Sequence, residues 1–426
     1  MRISTNTIFE LGSRGISDMQ AALVKTQQQL STQRRVLTPA DDPVAAATAL
    51  GITQSISVNE QYAANRQTAR SSLSEEESVL QSVTTLLQDA KQLVVNAGNG
   101  AMEDSQRQFL AAELRGRFEE LMGLANSRDG NGNYMFGGFQ TATQPFSKTL
   151  AGAAYAGDQG QRMLQVGASR QIPLNDTGYS VFENNKTGNG VFVTAARTLP
   201  ANTGSGIVSS GAVFDSSKLT GQKYSIDFTV VASGSPGVPD TTTFVVRNDT
   251  VIPTLYMDPA TGLVNLPAPP VIASTFVEGE SIKFAGMEFN IKGKPADGDG
   301  FTIDPSRDQS VFKTMTDLLS TLGQSGMGAT GQANLTNGLN TANNNIDHAL
   351  DNVLNVRAAV GTRLKELDVL DSGGSDLNIQ YIETLHKLQD IDLAETISAF
   401  TQQNMVLEAA QKSFMKVSGM SLFNFI

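Results

Sequence analysis

Large apolar residues return every seven positions at both ends of this chain. Near the start they are Phe9, Ile16, Leu23, Leu30 and Leu37; near the end they are Leu393, Phe400, Leu407 and Phe414. A seven-residue apolar repeat keeps one seam on one side of a slightly underwound helix, the pattern of a left-handed coiled coil. The second seam position is more polar, with Gly12, Met19, Thr26 and Gln33 at one end and Ile397, Asn404 and Gln411 at the other. Polar groups there lower stability but fix register and partner. Each terminal helix has a single apolar stripe and no local partner, so the two ends of the chain are expected to pair.

Two inner segments behave alike. Leu73, Leu80, Leu87 and Val94 are spaced by seven, with Val83 and Ala90 between them. Leu339, Ile346, Val353, Val360 and Leu367 are spaced the same way, with Leu350 and Leu364 filling in. Another helix is predicted across SQRQFLAAELRGRFEELMGLAN, where Leu110, Leu114, Phe118, Leu121 and Ala125 follow a three–four stripe. From Asp42 to about Val95 the chain can form one helix of about 50 residues, on the order of 75 Å long at ~1.5 Å per residue. Its start is marked by Asp42 as a cap and Pro43, whose fixed φ suits the first turn.

Between about Thr141 and Asp308 the helical period disappears. YSIDFTVV alternates Tyr224, Ile226, Phe228 and Val230 against Ser225, Asp227 and Thr229, as a half-buried strand does. SIKFAGMEFNIKG places Ile282 and Phe284 before a Gly-containing turn and Phe289 and Ile291 after it, a hairpin. Nine of the 14 prolines lie between 236 and 305, a density that long helices do not tolerate. The predicted fold is α+β: long coiled-coil-like helices from both termini form a rod, with a β-rich central insertion. Five segments are expected: a terminal coiled-coil piece over 1–41, a helical half over 42–140, the β-rich insertion over 141–308, the returning helical half over 309–380, and a closing coiled-coil piece over 381–426.

Composition narrows the function. The chain of 426 residues has no Cys and no Trp, and His348 and His386 are its two histidines. Disulfides, thiolate zinc sites and a Cys nucleophile are therefore excluded. A net charge of −11 argues against nucleic acid, which needs a basic face, and against an anionic membrane surface. No stretch approaches a membrane span, and MRISTNTIFELGSRG lacks the apolar core of a secretory signal. The protein is expected to be cytoplasmic or exported by a route without a cleaved signal.

Candidate chemistry is sparse. ADGDGFTID offers Asp297, Asp299 and Asp304, but Phe301 stands where a calcium loop needs its third ligand and no Glu closes it. It reads as a tight turn before a strand. GNGNYMFGG lacks the spacing of a phosphate loop. Glu75, Glu76 and Glu77 read as a solvated helix face. No metal, cofactor or catalytic residue is expected, and an enzyme is not. The ending Leu422-Phe423-Asn424-Phe425-Ile426 is odd for a chain terminus, since such ends are usually polar and frayed.

Several stretches resemble the flagellin superfamily of flagellar axial proteins. MRISTNTIF and QQQLSTQRRVLTPADDPVAAATAL are similar to the opening of its members that join hook to filament, with Asp41-Asp42-Pro43 the most specific element. GNYMFGGFQTATQPF resembles the motif closing the helical part. YAGDQGQRMLQVGASRQIPLNDTGYSVF resembles the segment after it, and LQDIDLAETISAFTQQNMVLEAAQKSFMKVSGMSLFNFI the closing helix. The chain departs from filament flagellin in its opening Arg2-Ile3-Ser4-Thr5, in Arg34-Arg35-Val36, and in ending on Phe425-Ile426.

The resemblance implies a structural protein, found outside the cell in the flagellum and exported without a cleaved signal peptide. Its implied partners are other copies of itself in a ring, a hook-associated protein on the hook side, flagellin on the filament side, and an export chaperone. It also implies an answer for the apolar tail: Leu422 and Phe423 are covered by other subunits. Filament flagellin is the alternative within the superfamily, and a secreted coiled-coil effector the alternative outside it.

Overall fold

A computed structural model of the protein describes residues 5–234, 239–250, 255–257 and 273–423. Among them are six α-helices: α1 (Thr5–Thr32), α2 (Pro43–Ala97), α3 (Asp104–Ala125), α4 (Val311–Leu322), α5 (Gly328–Gln389) and α6 (Leu393–Phe423). The strands lie between α3 and α4, so long helices flank a central β-rich region.

The helix ends follow local chemistry. Asp42 Oδ1 accepts the Ala45 N–H at 3.0 Å, capping α2 with Pro43 as its first residue. Ser310 caps α4, and Asp392 Oδ1 caps α6 by accepting from Ala394 and Glu395 at 2.9 and 3.1 Å. The first helix stops earlier than the heptads predict. Gln33 adopts a φ of +56°, which ends α1 at Thr32 and leaves Leu37 beyond it.

The chain divides into two compact units. The first comprises Met1–Gln67, Gln165–Arg170 and Leu367–Ile426; the second comprises Thr68–Leu164 and Gln171–Glu366. The boundaries drawn from the sequence at 41/42 and 380/381 both fall inside the first unit.

In the second unit, the predicted stripes lie inside. Leu73, Leu80, Leu87 and Val94 of α2 are buried, as are Leu114, Phe118 and Leu121 of α3 and Leu339, Ile346, Val353 and Val360 of α5. Phe118, Phe146, Phe182 and Phe312 stack beside them with ring centroids 5.1–6.0 Å apart. A second core lies within the β-rich region. Its larger sheet runs in the order Leu255–Met257, Thr241–Asn248, Tyr224–Val231, Gly300–Pro305, Phe192–Ala196. The smaller sheet pairs Ser281–Phe284 with Met287–Lys292, and the latter with Ile207–Val208 and Ala212–Val213. Phe228, Phe244 and Phe301 from the first sheet share one apolar core with Ile282, Phe284 and Phe289 from the second. The predicted hairpin turns at Ala285 and Gly286, both at positive φ. A Cβ on Gly286 would stand 2.2 Å from the Asp215 carbonyl oxygen, so this turn requires glycine.

A polar stripe on α5 holds the β-rich region, and the apolar pattern gave no sign of it. Asn337 accepts the Val208 N–H and donates to the Gly206 carbonyl, at 2.9 and 3.0 Å. Asn345 accepts from Gly188 N at 3.0 Å, and Asn352 donates to the Ser180 carbonyl at 2.8 Å. These side chains satisfy backbone groups where the region's loops meet the helix. Asp299 does the same within the β-rich region. It is buried and accepts the N–H groups of Thr203, Gly204 and Ala296 at 2.7, 3.0 and 2.8 Å.

Candidate assembly surface

Within the first unit, α1 and α6 pack antiparallel. The Phe9 and Phe414 rings lie 5.1 Å apart at one end of the pair. Gly12 lets the helices approach there, because a Cβ on it would sit 2.7 Å from the Phe414 ring. Seventeen residues along α1 from Phe9, buried Thr26 donates to Gln403 Oε1 at 2.9 Å. Ile16, Leu23 and Leu30 are half-buried, as are Phe400 and Phe414, and Leu407 is buried at 7 % exposure.

The second seam position on α6 differs from the sequence expectation at Ile397 and Asn404. Gln411 is half-buried as expected, but so are Thr396, Gln403 and Ala410, while Ile397 is 51 % exposed and Asn404 is exposed. After Phe400 the inward position is Gln403 rather than Asn404, whereas after Leu407 both Ala410 and Gln411 are half-buried. Leu393 is also exposed, and Phe9, despite its ring contact, is 53 % exposed. The side chains of Leu422 and Phe423, and the whole of Phe425-Ile426, lie outside the described residues.

The pair is joined to the rest of the unit by the family-like motif. Asp41 accepts Lys25 Nζ at 2.6 Å and the Thr38 N–H at 2.8 Å, closing the turn after α1. The lysine hydrogen bond, reinforced by Thr38, holds its carboxyl down to about 2. Asp42 is likewise lowered, first by the Ala45 N–H it caps and then by Arg35, 3.2 Å away. Arg34 and Arg35 lie beside the α5–α6 connection. Arg35 N donates to the Gln389 carbonyl at 2.6 Å, and Ile391 N to the Gln33 carbonyl at 3.3 Å. So Asp41 shapes the turn, Asp42 caps the next helix, and Pro43 begins it.

Because Asp41 has a folded value below its ordinary 3.8, its contribution is present above about pH 4 and is lost as pH falls toward 2. Corrected for intrinsic rates, the opening constant at the Thr38 amide should therefore rise over that acid range in the native chain and lose this pH dependence in Asp41→Asn.

Deeper in the same unit, buried Arg66 of α2 binds Asp371 of α5 and donates to the Val166 carbonyl at 3.1 Å. Asn59 Nδ2 reaches the Gly374 carbonyl at 2.8 Å. This contact links residues more than 300 positions apart, and no local signal in the sequence announces it.

On the outside of the α1–α6 pair, apolar side chains stand among exposed polar ones such as Arg14, Asp18, Glu408 and Lys412. Leu11 and Val24 of α1 and Met405, Val406, Met415 and Val417 of α6 are all exposed. Single exposed apolar residues are ordinary, whereas contiguous exposed apolar patches are a common mark of interaction sites.

Residues 3–141 match the family described as the bacterial flagellin N-terminal helical region. The chain is 32 % identical over 423 residues to flagellar hook-associated protein 3 of Salmonella typhimurium, covering 99 % of both chains. The chain belongs to the flagellar hook-associated protein 3 family. Its fold is similar to the flagellar junction protein FlgL from Legionella pneumophila, with a TM-score of 0.70 and 31 % identity, covering 80 % of this chain and 100 % of that one. Phase 1 flagellin of Salmonella naestved matches at 28 % identity over 130 residues, 30 % of this chain. For this member of the hook-associated protein 3 family, the superfamily likeness is thus concentrated in one part of the chain, while the likeness to hook-associated protein 3 runs through the β-rich region as well.

Among the described residues no group of three His, Cys, Asp or Glu is placed to hold a metal ion. Asp297, Asp299 and Asp304 are each engaged elsewhere: Asp297 accepts from Val230 N at 3.0 Å, Asp299 from the backbone groups given above, and Asp304 pairs with Lys223 at 2.8 Å.

Proposed function

We propose that the protein is a structural subunit of the joint between hook and filament in the bacterial flagellum. The observation that carries this reading is the α1–α6 pair, internally joined along one seam yet leaving Leu11, Val24, Met405, Val406, Met415 and Val417 exposed, in a chain of the hook-associated protein 3 family. Copies of the chain cover that surface by forming a ring. A hook-associated protein meets the ring on the hook side and flagellin on the filament side. Segments 1–41 and 381–426 line the inside of the tube, segments 42–140 and 309–380 form the next layer, and segment 141–308 faces outward. The role is structural rather than catalytic. The protein works outside the cell and leaves it without a cleaved signal peptide, accompanied beforehand by an export chaperone.

Seam residues Phe9, Ile16, Leu23, Leu30, Phe400, Leu407 and Phe414 act within the subunit in this reading, and exposed Leu393 and Ile397 act between subunits. Purified protein seeded with filament fragments separates this role from that of filament flagellin. A joint subunit adds to the fragment ends and stops at short assemblies. Growth of long filaments from this protein alone overturns the reading.

A further inference from the structure

Glu76 of α2, expected from the sequence to lie on a solvated face, is instead 1 % exposed. Its Oε1 accepts the backbone N–H of Asp176 at 2.9 Å, while its Oε2 is buried without a hydrogen-bond partner. Beside it is a cavity of about 10 Å³ whose lining includes Ser72, Asp129, Arg162 and Asn175. That is the size of a single water probe, and the polar lining suits one. Asp176 in turn receives Arg363 of α5 in a bidentate pair, at 2.8 and 3.0 Å. The short strap 174–177 is thus bound to α2 through Glu76 and to α5 through Arg363.

The charges around Glu76 come from every element that meets it. Asp176 faces it from the strap, Arg363 from α5, Arg162 from the approach to the strand Met163–Gly167, and Asp129 from the turn after α3. Its helix neighbours are Glu75, which is exposed, and Glu77, which is occupied by Arg357 at 2.7 Å. Of the two nearby cations, Arg363 is already committed to Asp176. An ionised Glu76 would therefore place a second carboxylate against Asp176 in a site with room for little water. A protonated Glu76 has no such conflict, and its O–H can donate into the cavity.

We propose that Glu76 is a proton-operated latch, pinning the 174–177 strap to α2 when protonated and releasing it when ionised. Burial first, and then the Asp176 charge, push the carboxyl from its ordinary 4.5 up to about 8, outweighing the Asp176 N–H bond, Arg363 and Arg162, which oppose them. The closed strap binds this proton more tightly than the open one. The latch is at full strength below about pH 4.5, weakens as pH rises, and levels off above about 8. The proton released on opening passes to bulk water.

Amide exchange at Asp176 in the full-length protein, corrected for intrinsic rates, tests this. The opening constant should rise by up to tenfold per pH unit between the two values, as release of one proton requires. The core amide of Phe228 serves as reference and should not follow. Glu76→Gln keeps the acceptor for Asp176 N–H and cannot ionise, so its profile should be flat. An equal slope in Glu76→Gln, or a flat profile in the native chain, overturns the proposal. Should that variant fail to fold, infrared spectra of the native protein decide. A protonated-carboxyl band that titrates near pH 8 supports the latch, and no such band at neutral pH overturns it.

Discussion

Replacing Leu407 by Asp is expected to abolish swimming and to leave the second unit folded. Leu407 is buried against α1, between the Thr26–Gln403 hydrogen bond and the Phe9–Phe414 ring contact. Losing its burial costs roughly 2 kcal/mol, and an unpaired carboxylate in its place adds several more. A two-helix seam with Gly12, Thr26 and Gln403 in it has little reserve against such a loss. The outer face of the pair would then have no fixed shape to present to neighbouring subunits. The β-rich region has its own core and should melt as in the native protein. Met405→Asp is the informative companion, because Met405 is exposed on the same helix. It should leave α1 and α6 paired in the free subunit yet still block assembly. Swimming and soluble filament protein in the medium are the readouts. Normal motility in Leu407→Asp would show that the seam is dispensable.

Phe312→Ala should be the most destabilising single truncation in the second unit, at about 4 kcal/mol. Its ring meets those of Phe118, Phe146 and Phe182 and is fully buried. Through these rings α4 is fastened at once to α3, to the hairpin Phe146–Thr149 and Gly152–Tyr155, and to the helical turn Tyr179–Glu183. A single cavity there loosens several elements that the chain brings together from distant positions. Denaturant unfolding followed by circular dichroism checks it, with exposed Phe139→Ala as the control, expected within about 0.5 kcal/mol of native. A loss below about 1 kcal/mol for Phe312→Ala would mean the cluster collapses to fill the gap.

Much of the helical fold was legible because its signals are local. Asp42-Pro43 carries both cap and first turn, and the α2 start follows from it directly. The Leu73-to-Val94 and Leu339-to-Val360 stripes are apolar for the ordinary reason that they are core. The hairpin at Ala285-Gly286 was readable from alternation and a glycine.

The misreadings have physical causes. Gln33 takes a left-handed conformation that glutamine seldom adopts, so nothing in the sequence marked the end of α1 before Leu37. The pairing of Arg34 and Arg35 with the connection after α5 is fixed by backbone hydrogen bonds across the whole length of the chain. On α6, Ile397 looked like a seam residue because it is apolar, and Gln403 did not because it is polar. Their exposure runs the other way, since Gln403 answers Thr26 inside the pair and Ile397 is exposed. Hydrophobic patterning cannot separate a residue buried in the monomer from one buried only in an assembly. Glu76 was misread because it sits between two other glutamates, and only the fold brings Asp176 and Arg363 to it.

The most direct measurement is to delete the gene and compare filament protein in the medium with that on the cell, viewing the cell surface by electron microscopy. Bare hooks with abundant filament protein shed into the medium are expected, because filament subunits are exported but find no joint on which to assemble. Normal filaments on the deleted strain, in the absence of a second gene copy, would contradict the assignment of this chain to the hook–filament joint.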